Sequence, residues 1–300
     1  MTKEFSSTVE QSAGLTLADG TTWGIFAGED ATATVVSYLA KAMQLRFYDA
    51  PIYRLFVVDN GDGADTVVGH TKSEHVMTIP WRLAPSDDED TVICIVPPLR
   101  DNDMLANQLM QLSLVIAQQS QTRGGFLLHG ALIEKDGWSV ILAGPGGVGK
   151  TTASSRLRSP WRSLSDDATL VVRDVHGTYW AHPWPTWSNF MSGGPGGTWD
   201  VNDAVPLKAI FFLEQAQQNR IEPLGPGHSV PLLVELAEQV SWSMENGDGE
   251  DVVRALRLQR FENICSFAKS MSCYHLNLSL DGAFWELIEK VINKKGKNTT

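Results

Sequence analysis

Apolar residues in this chain recur with two different spacings, and the switch between them marks out its elements. Val35, Leu39 and Met43 repeat every fourth position and predict a helix over about 31–43. Leu105, Leu109, Leu112 and Ile116 make a longer stripe. A second helix is therefore expected near 104–120, introduced by Pro97 and Pro98 and capped by Asp101 and Asp103. β-like runs at 53–58 and 91–96 predict strands, and 15–20 reads as a strand and turn leading to the first helix. The polar residues 1 to about 12 are expected to fray.

In the second half, apolar runs at 126–133 and 138–143 flank Lys135-Asp136-Gly137, a strong hairpin signal. The strand over 138–143 is thus expected antiparallel to its predecessor, with no helical crossover between them. The stretch 163–172 places two adjacent acids, Asp166 and Asp167, at the start of another β run. A buried strand over 207–214, helices near 231–244 and 250–270, a strand over 274–280 and a helix over about 284–292 complete the pattern.

Between the strand 138–143 and a helix start at Thr152 stands Gly144-Pro145-Gly146-Gly147-Val148-Gly149-Lys150-Thr151, the spacing of a phosphate-binding P-loop. Glycines let backbone N–H groups wrap a phosphate, and the helix N-terminus adds positive potential. Lys150 supplies a mobile cation and Thr151 a hydroxyl for Mg²⁺. A plain glycine turn would require neither.

Asp166 and Asp167 follow one helix later. Neighbouring strand residues point to opposite faces, so the two carboxylates suit different tasks: one on Mg²⁺, the other accepting the proton of an attacking hydroxyl. An acidic turn is the plainer alternative. Five of the ten tryptophans (Trp161, Trp180, Trp184, Trp187 and Trp199) fall in a Pro- and Gly-rich window, read as a loop that clamps a base or an extended peptide in preference to a core plug. Glu214 is either a second metal-site carboxylate or the exit of its strand to solvent, and the row Arg254, Arg257, Arg260 reads as a solvated basic face. The acid-rich stretches 59–65 and 86–90 lack the ligand spacing of a calcium loop and read as solvated turns.

Composition narrows the classes. At 300 residues and 43% apolar the chain can bury a full core, and its net charge of −11 disfavours nucleic acid. Three cysteines, Cys94, Cys265 and Cys273, form no CxxC pair and read as small hydrophobes. No stretch has the apolar length of a membrane span or of a signal peptide, so a cytoplasmic location is expected, with no membrane partner.

His129-Gly130, the hairpin, the glycine loop with Lys150-Thr151, and Ser-Asp166-Asp167, in that order and spacing, resemble the catalytic core of bacterial HPr kinase/phosphorylase and its relatives. The His-Pro-Trp-Pro-Thr-Trp-Ser run and the layout as a whole resemble, more narrowly, the HPr-kinase-like component of the SynChlorMet cassette, a gene cluster associated with radical-SAM modification of a small peptide. The resemblance implies an α/β fold: a mixed-sheet P-loop domain of HPr kinase/phosphoenolpyruvate carboxykinase type over 121–293, a small α+β module over 1–120, and a disordered basic tail over 294–300. It implies ATP and Mg²⁺ as cofactors and transfer of the γ-phosphoryl to a hydroxyl, of serine or a small acceptor. Gly144 to Thr152 would hold the triphosphate, Lys150 neutralise its β/γ oxygens, Thr151 and Asp167 hold Mg²⁺, and Asp166 act as base. His129 matches a histidine near that family's active site. Expected partners are a peptide or small-molecule acceptor, radical-SAM enzymes of the same cluster, and further copies of the chain in a homo-oligomer. The second HPr kinase signature, Glu-x-Arg-Gly-Leu-Gly, has no counterpart after the double acid, which weakens HPr itself as substrate. An ATP-binding regulator without phosphotransfer is the alternative.

Overall fold

The computed structural model describes residues 13–28, 30–48, 50–59, 82–84, 90–187, 197–241 and 250–296. The expected frayed start (1–12), most of the two acid-rich turns (60–65 and 86–89), the middle of the Trp/Pro window (188–196), positions 242–244 and the last four residues of the basic tail lie outside them. The chain forms two compact units: Met1–Val115 with Pro185–Asn202, and Ile116–Trp184 with Asp203–Thr300.

The first unit holds a five-stranded mixed sheet in the order β1-β2-β3-β5-β4. Its strands are β1 (Ala13–Thr16), β2 (Thr22–Ala27), β3 (Tyr53–Asp59), β4 (Arg82–Ala84) and β5 (Thr91–Val96). β2 and β3 pair parallel, as do β3 and β5, and helix α1 (Asp30–Ala42) is the crossover from β2 to β3. The predicted stripe is the face that α1 and the turn after it bury: Val35, Leu39 and Met43 are all buried. Helix α2 (Asn102–Gln119) starts where Asp101 accepts a hydrogen bond from the Met104 N–H at 2.8 Å, the cap its sequence predicts. The chain passes from the first unit to the second within this helix.

The second unit is built on β6 (Phe126–Lys135) and β7 (Trp138–Ala143), joined by the predicted two-residue turn. Asp136 (φ 49°) and Gly137 (φ 78°) both adopt positive φ, the conformation that a tight hairpin of this twist demands. The remaining strands are β8 (Arg162–Ser165), β9 (Ala168–Arg173), β10 (Tyr179–Trp184), β11 (Val205–Gln215), β12 (Arg220–Leu224) and β13 (Ser272–Leu278). The sheet runs β10-β9-β6-β7-β11-β13-β12, with β8 also on β6 and β10 reaching back to β11. β7 is antiparallel to β6 and parallel to β11, which is parallel to β13. Helices α4 (Pro226–Ser241) and α5 (Glu250–Ser270) cover one face through Leu233, Leu236, Ile264 and Phe267. Helices α3 (Lys150–Ser155) and α6 (Phe284–Gly296) cover the other through Ala153, Phe284 and Ile288. Side chains of β6 and β7 alternate between these two cores, as the pleat requires. Among the described residues there are six α-helices, none long and apolar enough to cross a membrane.

The Trp/Pro window departs from its expected form. Residues 179–184 are strand β10, antiparallel to β9, and Trp184 is 1% exposed. Pro183 has no N–H to give, which is tolerated because β10 meets β11 only at Trp180 and Ala181. In the first unit, Trp187 and Trp199 are buried with ring centroids 5.9 Å apart, and the Trp199 N–H donates to the Ala42 carbonyl at the end of α1. Trp161 is also core. The described tryptophans of the window therefore serve mainly as core, and the expectation of an aromatic clamp is not met there: of the five, only Trp180 is not fully buried, and its indole N–H donates to Asp174.

At Gly130, in β6, a Cβ would sit 2.5 Å from the Ile141 side chain and 3.3 Å from the Leu142 carbonyl oxygen. Gly130→Ala is therefore expected to cost about 1–3 kcal/mol of stability, measured as a shift of the urea unfolding midpoint; an unchanged midpoint would mean that the β6–β7 contact is not close-packed.

Candidate active site

The site is assembled by strand register. Gly130 pairs with Ala143, the last residue of β7 before the glycine loop. On its other edge β6 meets β8 and β9, which together read as one line broken at Asp166 and Asp167: Leu132 faces Ser165 and His129 faces Ala168. The Gly130 N–H donates to the Asp167 carbonyl (2.9 Å), and the Thr169 hydroxyl donates to the Gly130 carbonyl (2.9 Å). Ser165 closes the break by donating its hydroxyl to the Ala168 carbonyl (2.7 Å). Acids and glycine loop thus flank β6, one strand apart on either side.

The loop itself ends at Gly149, whose φ of 110° makes it the N-cap of the six-residue α3; its carbonyl accepts the Ala153 N–H at 2.8 Å. Gln215, at the end of β11, donates its side-chain amide to the Gly147 carbonyl (3.2 Å) and tethers the loop from the adjacent strand. Pro145, Gly146 and Gly147 are exposed, as are Thr151 and Thr152 on the first turn of α3.

Lys150 is only 5% exposed. Its ammonium donates to the Gly144 carbonyl (2.8 Å), the Pro145 carbonyl (3.1 Å) and His129 Nε2 (2.8 Å), with Asp167 Oδ1 at 4.0 Å. An ammonium has no lone pair, so His129 Nε2 must accept and the imidazole is neutral. Burial lowers the His129 pKa, Asp167 at 3.4 Å acts against that, and Lys150 reinforces it. Burial lowers the Lys150 pKa as well, and Asp167 opposes it. Asp166 stands half-buried at the same strand break. The structure therefore brings together Lys150, Asp167 and His129 at the mouth of the glycine loop, with Thr151 one residue on. Gln215 is a loop partner that the sequence pattern did not single out; the signal available was its place at the end of the strand beside the loop.

The outlying candidates have other engagements. Glu214 pairs with His275 of β13 at 3.2 Å and is largely exposed, so it is a strand-exit acid. Of the arginine row on α5, Arg254 and Arg257 are exposed and Arg260 is buried. Among the described residues no group of three or more His, Cys, Asp or Glu side chains could hold a metal ion. Mg²⁺ held on a triphosphate would ask less of the protein, one or two oxygen ligands beside phosphate and water.

The family described as SynChlorMet cassette protein ScmC matches residues 92–293, more than half of the chain. No curated protein matches.

The neutral His129 carries a pH signature. Its proton is taken up near pH 6.5 when unfolded, lower when folded, so between those values the unfolded state binds more protons. This contribution to stability is complete above the unfolded value and is lost as pH falls through the window. Urea midpoints should fall more steeply as the pH drops below the ordinary imidazole value of 6.5 for the wild type than for His129→Gln, which keeps an acceptor for Lys150 but cannot titrate. Equal slopes would contradict the half-buried neutral imidazole.

Proposed function

The chain belongs to the SynChlorMet cassette protein ScmC family, and on that premise we propose that it is an ATP-dependent phosphotransferase of HPr kinase type, with a hydroxyl of a peptide or small molecule as acceptor. The observation that carries the reading is the 4.0 Å approach of Lys150 Nζ to Asp167 Oδ1 across the mouth of the glycine loop. It pairs a mobile cation for phosphate oxygens with a carboxylate for the metal that accompanies them. Magnesium, when bound with ATP, would neutralise charge that develops on the phosphate oxygens.

The residues divide the work. Lys150 would leave the Gly144 and Pro145 carbonyls for the β/γ oxygens, and the backbone N–H groups of 146–152 would line the phosphates, Pro145 having none to give. Thr151 and Asp167 would hold the metal. Asp166 takes the proton of the acceptor hydroxyl. Once Lys150 departs, His129 Nε2, 3.4 Å from Asp167 Oδ1, is free to carry a proton and to orient that carboxylate by donating to it. Catalysis here is positioning and charge neutralisation, with no covalent enzyme intermediate.

A second reading, an ATP-binding regulator without transfer, draws on one observation: Lys150 is fully engaged by the loop's own carbonyls and His129. Incubation with Mg-ATP and each peptide encoded in the same cassette, followed by mass spectrometry, separates the two. Added phosphate on a peptide is the expected result. Lys150→Ala should reduce transfer by about 10²–10³-fold, and Asp166→Asn by about 10²–10⁴-fold with ATP binding retained. ATP binding with no transfer to any acceptor would favour the regulator.

A further inference from the structure

β7, β11 and β13 run parallel, so the glycine loop, the Gln215 turn and the segment after β13 all emerge at the same edge of the sheet. Ligands of open α/β sheets bind outside the carboxyl ends of such strands. Ala143 ends β7 level with Phe212, whereas β13 continues to Leu278, level with Gln215. The segment after β13 therefore stands about 10 Å higher than the start of the glycine loop and about 10 Å to its side, two strand spacings away. It forms a raised wall beside the cradle.

This wall is unusually well anchored. Arg156, just past α3, donates to the Ser279 carbonyl and to the Gly282 carbonyl, both at 2.8 Å. Asn219 accepts the Ser279 N–H (2.8 Å) and donates to the Asp281 carbonyl (2.9 Å). At its tip Leu280 is 83% exposed. A lone exposed leucine is ordinary on a surface. One on a segment clamped at three of its residues, tied to the same helix that begins at the glycine loop, is a rigid apolar ledge.

We infer that the segment 279–283 is the nucleoside side of the site and that Leu280 packs on the flat face of the base of a nucleotide whose phosphates occupy the glycine loop. This rests on the phosphate-binding reading given above. The carbonyls of Ser279, Asp281 and Gly282 are already hydrogen-bonded, so contact is through the apolar face and not through the base edge.

The test is calorimetric titration of the full chain with Mg-ATP and with Mg-tripolyphosphate, which has the phosphates but no base. Leu280→Ser should weaken ATP about tenfold and leave tripolyphosphate unchanged, as expected for loss of a partly buried leucine contact. Lys150→Ala should weaken both. Unchanged ATP affinity in Leu280→Ser, or equal loss for both ligands, overturns the inference and leaves the phosphate site standing. A wild type that binds neither ligand overturns the two together. A wild type that binds both but transfers no phosphate refutes the kinase alone.

Discussion

The pairing of β6 on both its edges is the constraint from which the site follows. A residue with a side chain at 130 would force β7 away from β6 at the point where the glycine loop begins, because Ile141 and Leu142 already occupy that space. The same residue's N–H and C=O are bonded to Asp167 and Thr169 on the opposite edge. Strand spacing of about 4.8 Å then sets how far the acids can lie from the loop. Distances such as 4.0 Å between Lys150 and Asp167 are consequences of that ladder, and not of the loop alone.

Within that frame the buried ammonium governs the local chemistry. Removing a lysine from water is costly unless its protons are matched, and here two carbonyls and an imidazole take the three protons. Protonated, His129 would oppose Lys150 at 2.8 Å, so the neutral imidazole and the charged lysine require one another. A phosphate group would offer Lys150 the same hydrogen bonds with a negative charge added, so on the proposed reading it could replace the carbonyls without exposing the ammonium to bulk water.

Much of this was legible in the chain, for reasons that differ by element. Asp136-Gly137 between two apolar runs is a local signal, and the hairpin formed as read. So did the stripe of Val35, Leu39 and Met43, since burial of one helix face depends only on spacing. Strand β10 was read as loop because two prolines and three aromatic residues in 179–185 obscure any period; its strand conformation depends on pairing with β9, a partner that local pattern does not identify. Likewise β2, β8 and β12 are short or mixed in polarity and are held by their neighbours. For the site, the glycine loop and the acid pair could be found by spacing. The contact of Lys150 with His129 could not, because it depends on which strands are adjacent and in what register.

The break between β8 and β9 explains why two acids in succession are useful at this place. In an unbroken strand Asp166 and Asp167 would point to opposite faces of the sheet, leaving one of them remote from the loop. Interruption of the ladder, closed by Ser165 onto Ala168, frees both residues from strict alternation while Asp167 stays tied through its carbonyl to Gly130. Asp167 is thereby committed to the Lys150 side. Asp166, half-buried and one residue nearer β8, is left at the rim of the same break. On the proposed phosphotransferase reading this divides the work: Asp167 faces the lysine, and Asp166 would be left for the acceptor hydroxyl.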